Sequence, residues 1–290
     1  FGLDRFDMDD AFGDKKENMC SSDLKEFIDK YHLDTNNDGK FNPRLVFGSH
    51  DDQDHVYNTP RAWYMARHFN PRTYKWEGDQ PDYTPESDDI PWALVPERKI
   101  TVEDVKYILS SYYQGTEYNP YSSNNSDKKG MYRSIGIART AFMSINQIRS
   151  YVPEEIKGIE WICFGPNPFN AIIPVYTGAS KMPKYLSSAT LDVDSNTFYW
   201  VSRLIAALAE SDYGANIQNI DRYQNGLAAK SHEILNKYDE KMIQTKNYTL
   251  REEANEEICK EAKELATDTL NKVLLTASMK MKCNYNRSDN

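Results

Sequence analysis

Four cysteines in 290 residues, Cys20, Cys163, Cys259 and Cys283, are too few and too scattered for a disulfide framework, and no C-x-x-C pair or nearby histidine gives zinc spacing. They read as free thiols, mostly in core positions, which suits a reducing compartment. Long apolar runs are absent too. The most apolar stretch, Phe198 to Ala209, is interrupted by Ser202 and Arg203, so no transmembrane helix is expected and the chain reads as soluble. Positive charge is in short supply: 35 Lys and Arg face 44 Asp and Glu, giving a formal charge of −9. That balance excludes neither small nor zwitterionic ligands but disfavours nucleic acid and anionic membranes, which select basic faces. The chain opens Phe-Gly-Leu-Asp-Arg, with no initiator Met and no signal region, and reads as an internal start left by processing or truncation. A cytoplasmic location is expected, with secretion as the alternative. No internal repeat or low-complexity block occurs.

What is present divides into three stretches of one expected domain over 1–290. Residues 1–130 are polar and rich in Asp, Asn, Pro and Tyr, and read as a helical, loop-rich wrapping region. Ser22 is placed to cap a helix with Leu24, Phe27, Ile28 and Tyr31 on one face. Thr59 before Pro60 opens another, and Thr101 with Asp104 three residues on starts a third. Residues 131–178 carry short β-branched and aromatic runs, at 133–138, 141–148, 160–164 and 171–176, separated by turn formers and expected to be antiparallel strands. Residues 190–290 are helical. Asp194 or Ser195 caps a helix through Ala209, whose stripe of Phe198, Val201, Ile205 and Leu208 is core or interface packing. Two long helices follow, near 216–244 and 250–281, and pair as a hairpin, with Thr249 and Glu252 forming a T-x-x-E box. The whole is an α+β layered fold.

The run from Asp34 to Asn42 follows the start of a calcium loop, with Asp34, Asn36 and Asp38 at positions one, three and five and Gly39 at six. Position twelve is Leu45, where a bidentate acid is needed. A polar Asx-rich turn is therefore the expectation, and no metal or cofactor is required.

Three segments read together carry a family likeness: Asp54-His55-Val56-Tyr57-Asn58-Thr59-Pro60-Arg61-Ala62-Trp63; Arg133-Ser134-Ile135-Gly136-Ile137-Ala138-Arg139-Thr140; and Gly158-Ile159-Glu160-Trp161 with Phe164-Gly165-Pro166-Asn167 and Ile173-Pro174-Val175-Tyr176-Thr177-Gly178. In this order they resemble the dipeptidase A-type N-terminal-nucleophile peptidases, relatives of penicillin acylases and bile-salt hydrolases. The resemblance implies an αββα fold and a cysteine nucleophile at the first position of the mature protein, where its own free amine acts as general base. Phe1 has no nucleophilic group, so that cysteine and the first sheet strands are expected on an N-terminal segment outside this chain, and none of the four cysteines is read as the nucleophile.

The resemblance implies an arginine beside the thiolate, and Arg139 is the best match, with Arg133 second. A cation there lowers the thiol pKa. Asn58 and Thr59 either face a bound peptide terminus or only cap a helix; Asn167, between two prolines, either lines the pocket or makes a turn. His50 and His55 have no ligand partner at fixed spacing. The expected function is hydrolysis of di- or short peptides. An amidase acting on penicillin- or bile-acid-like amides and a noncatalytic, calcium-stabilised helical interaction module are the alternatives, and a homo-oligomer through the long helices is compatible with each.

Overall fold

The computed structural model describes residues 8–14, 16–34, 46–49, 51–91, 93–123 and 125–282. Contacts gather the chain into two compact units, one of Phe1–Ile100 with Gly130–Arg133 and the other of Thr101–Lys129 with Ser134–Asn290.

The first unit contains α1 (Met8–Phe12), α2 (Leu24–Tyr31), α3 (Asp54–Tyr57) and α4 (Thr59–Phe69). On α2 the expected apolar face is mostly uncovered: Ile28 is buried, but Phe27 and Tyr31 are exposed. Asp23, not Ser22, takes the N-cap position, and no side chain caps the helix. Pro60 does sit in the first turn of α4, where its missing N–H costs nothing. Thr59 does not cap that helix. Its hydroxyl donates 3.2 Å to the Asp54 carbonyl, which also accepts from the Asn58 amide where α3 runs directly into α4. Trp63 and Tyr64 bury the inner face of α4, and the Trp63 indole donates 3.2 Å to the Tyr83 carbonyl.

The second unit is α+β. Its sheet has three antiparallel strands in sequence order, β1 (Phe142–Ile148), β2 (Gly158–Phe164) and β3 (Ile173–Tyr176), with Trp161 opposite Ile145 on one side and Pro174 on the other. The fourth expected strand, over 133–138, does not form. Gly136 explains why: its amide donates 2.8 Å to the Ser111 carbonyl, and a Cβ there would lie 2.5 Å from the Ser110 carbonyl oxygen. The segment is folded tightly onto the end of α5 (Val102–Leu109) instead of extending. That helix begins with the expected capping box, Thr101 accepting from the Asp104 amide while the Asp104 carboxylate accepts from the Thr101 amide.

After the short helix α6 (Lys184–Ser187), the long helices α7 (Phe198–Ser211), α8 (Tyr213–Thr245) and α9 (Leu250–Met279) cover the sheet. Helices α8 and α9 form the expected antiparallel hairpin, with Lys237 paired to Glu257 and Lys241 to Glu253 along the seam. Buried Ala254, Ala262 and Ala266 let α9 approach its neighbours closely. Two expected caps are absent. Thr197 takes the N-cap of α7 and binds the Asp194 carbonyl, so neither Asp194 nor Ser195 caps it. Thr249 has helical backbone angles and bonds Asn247, and Glu252 is taken by the amide and hydroxyl of Ser180, so the T-x-x-E pair never closes.

The sheet's two edges differ. On β3, Asn255 of α9 imitates a neighbouring strand: its Oδ1 accepts from the Tyr176 amide at 2.9 Å and its Nδ2 donates to the Tyr176 carbonyl at 3.4 Å. On β1, Gly165 donates to the Ala141 carbonyl and Arg149 to the Lys157 carbonyl, both at 2.9 Å. Hydrogen-bonded pairs alternate along an antiparallel ladder, so the amides of Phe142, Ser144, Asn146 and Ile148 point away from β2. Among the described residues no strand pairs with this edge. No helix among them is long and apolar enough to cross a membrane. Asn36, Asp38 and Leu45 of the calcium-like run, together with His50 and Cys283, lie outside the described residues. Within the described residues no three His, Cys, Asp or Glu side chains gather into a metal site.

Candidate active site

The end of the sheet where β1 begins and β2 leaves is built by two loops of the second unit. Residues 138–141 lead into β1. Gly165 follows β2 at φ +70°, a left-handed turn that glycine adopts without strain, and a Cβ there would sit about as close to Asn170 as to the backbone of Ser202 and Arg203. The loop from 165 to 170 is clamped by Asn170, whose fully buried side chain donates 2.9 Å to the Pro166 carbonyl and 3.1 Å to the Ser202 carbonyl. On the other side, Gln224 of α8 donates to the carbonyls of Pro168 and Asn170.

Arg139 lies in the turn just before β1, exposed, and no hydrogen bond from its guanidinium reaches a described residue. It is not at the end of a strand, because the preceding strand is absent. A second arginine stands beside this turn. Arg203, on α7, donates 3.2 Å from Nη1 to the Ala138 carbonyl, the peptide immediately before Arg139. In the sequence Arg203 shows only as a charge interrupting the apolar stretch 198–209, and that interruption is the one local signal that marks it. Two arginines thus stand at one end of a sheet whose adjoining edge pairs with no strand among the described residues.

Asn167 starts the short helix Asn167–Phe169 and is buried. Its Nδ2 donates 2.8 Å to the Leu109 carbonyl, tying the loop to α5, while its Oδ1 is buried without a partner among the described residues. Asn58 and Thr59 belong to the first unit. Asn58 caps α4 by position and hydrogen-bonds the buried carboxylate of Asp54, and Thr59 bonds the Asp54 carbonyl. In the same unit, Arg133 donates its amide to the Val56 carbonyl at 3.1 Å, its guanidinium lies 5.6 Å from the centre of the Tyr57 ring, and its carbonyl accepts from Arg61. His55 meets Asp88 at 3.1 Å near the surface, in keeping with a hydrogen-bonded role.

The described cysteines are free. Cys163 is fully buried on β2, and desolvation pushes its thiol up to about 11 against the opposing pull of Lys106. Cys259, buried on α9, is pushed up to about 12, again chiefly by desolvation. Thiols held in the protonated form are poor nucleophiles. Neither is arranged to attack a substrate.

The model of peptidase family C69 matches residues 1–226. The chain belongs to this family. Its resemblance to the dipeptidase A-type peptidases is thereby borne out. Among relatives, the chain is 45% identical over 263 residues to a protein of Bifidobacterium longum (strain NCC 2705) named dipeptidase, covering 90% of this chain and 49% of that protein. It is 40% identical over 291 residues to a probable dipeptidase A of Streptococcus pyogenes serotype M18 (strain MGAS8232), covering 100% and 59%, and 36% identical over 244 residues to dipeptidase A of Lactobacillus helveticus, covering 83% and 48%. The chain spans about half to three fifths of the length of these relatives.

Proposed function

We propose that these residues form the larger part of a cytoplasmic, thiol-dependent dipeptidase whose nucleophile is a cysteine at the first position of a mature chain, outside residues 1–290. The observation that carries this reading is the pair Arg139 and Arg203 beside the open edge of β1, in a chain of peptidase family C69. The open edge supports an αββα layering in which further strands continue the sheet past β1 and bring the thiol to the two arginines. Buried, protonated Cys163 and Cys259 support a nucleophile elsewhere.

In this reading the α-amino group takes the proton from the thiol, and the cationic Arg139 favours the thiolate. The sulfur attacks the peptide carbonyl, the C–N bond breaks as the amine receives a proton, and water hydrolyses the resulting thioester. Arg203 acts as a positioning residue by fixing the peptide that precedes Arg139. Asn58, Thr59 and Asn167 are proposed substrate-side residues that work through the loops they anchor; the unpartnered Oδ1 of Asn167 supports this for that residue.

The test is Arg139→Ala in the full-length enzyme. Loss of one electrostatic stabiliser should lower kcat for a good dipeptide on the order of a hundredfold with the fold intact. A kcat within a few-fold of the parent would rule Arg139 out. Assaying dipeptides beside penicillin-like and bile-acid-like amides separates the dipeptidase from the amidase alternative.

A further inference from the structure

On the sheet face from which Trp161 and Cys163 project lies a cavity of about 550 Å³ between α5, the 167–172 loop and α8. That volume falls within the range of roughly 300–1,000 Å³ usual for small-molecule sites.

Lys106 lines the cavity and is 9% exposed. Its Nζ donates 2.8 Å to the Ser110 hydroxyl and 2.8 Å to the Asn167 carbonyl, both neutral acceptors, and among the described residues no carboxylate pairs with it. An ammonium held this way is strongly desolvated, which lowers its pKa and leaves the charged form in want of an anion. The neighbouring acids are engaged elsewhere: Glu103 bonds His232 at 2.6 Å and Asp104 closes the cap of α5. Asp221 is the exception. It stands exposed at the rim, and no hydrogen bond or ion pair from it reaches a described residue; partial desolvation raises its pKa. The walls between are amphipathic: Tyr112 and Tyr213, joined hydroxyl to hydroxyl at 2.6 Å, with Ile172 and Ile217.

A buried cation, a rim anion and an apolar, aromatic wall together match a small zwitterion with an apolar side chain. We propose that this cavity binds a free amino acid of that kind, its carboxylate on Lys106, its ammonium at Asp221 and its side chain against Ile172 and Ile217. The cavity shares the 167–172 loop with the Arg139 end of the sheet, but neither Arg139 nor Arg203 lines it.

Isothermal titration of the full-length protein with L-phenylalanine tests this, beside L-phenylalaninamide, N-acetyl-L-phenylalanine and acetate. One equivalent of L-phenylalanine should bind. Removing either ligand charge should weaken binding about tenfold or more, the expected loss for one buried charge contact. Lys106→Met should abolish binding, Asp221→Asn should weaken it, and Arg139→Ala should leave it unchanged. If Lys106→Met fails to fold by circular dichroism, the rim variant Asp221→Asn and the two blocked ligands decide. No binding at millimolar L-phenylalanine, binding as tight for acetate, or binding insensitive to Asp221→Asn and to amidation would overturn the proposal; loss in Arg139→Ala would assign the ligand to the reaction centre instead.

Discussion

Arg149, at the far end of β1 from Arg139, should be among the most costly single positions to alter. Its guanidinium is 4% exposed and forms a forked pair with Asp239 of α8, while Nη2 also donates 2.6 Å to the Ile156 carbonyl. Asp239 accepts a further 2.8 Å bond from the Tyr176 hydroxyl, so one buried network ties β1, β3 and α8. Arg149→Met keeps the volume but strands a buried carboxylate with a single hydroxyl partner. Breaking such a pair from one side costs about 3–5 kcal/mol. At about 2–4 °C per kcal/mol for a domain of this size, Tm should fall by about 10 °C. The double variant Arg149→Met/Asp239→Leu removes both charges and should recover more than half of the loss, since neither partner is then left uncompensated. Urea denaturation of the full-length protein measures both, and kcat of the folded fraction should hold. A single variant within about 1 kcal/mol of the parent, or a double variant whose cost is the sum of the singles, would refute the reasoning.

Asn255→Leu removes the strand-like cover from Tyr176 and should cost about 1–3 kcal/mol for the exposed donor and acceptor, with faster hydrogen exchange at the Tyr176 amide. With thiols raised to about 11 and about 12, Cys163 and Cys259 should be alkylated in the native protein at pH 8 far more slowly than a free thiol, and the difference should vanish in guanidinium; rapid native labelling of either would contradict their burial. Titration with calcium should show no strong site, because Leu45 cannot close the loop; submicromolar binding lost in Asp34→Ala would overturn this.

Local signals in the sequence were reliable where one element satisfied itself. The long α8–α9 hairpin follows from its apolar spacing, three of the strands from their β-branched runs, and the α5 cap from Thr101 and Asp104. Failures occurred where a distant group competed. Glu252 has the spacing for a capping box, yet Ser180, 72 residues away, takes its carboxylate. The run Arg133 to Ala138 has strand composition, yet Gly136 is pressed against the end of α5, a contact no local pattern encodes. The site was half legible: the segment holding Arg139 stood out, but Arg203 joins it only through the fold, and the burial of Lys106 follows from packing that no local pattern encodes. The αββα layering stays beyond the sheet described, which ends at β1.

The most direct test of the central claim is active-site labelling of the full-length enzyme. Iodoacetamide should abolish dipeptide hydrolysis in proportion to one equivalent of label, and peptide mapping should place that label on a cysteine outside residues 1–290. Full activity after alkylation, or inactivation that maps to Cys20, Cys163, Cys259 or Cys283, would contradict the account.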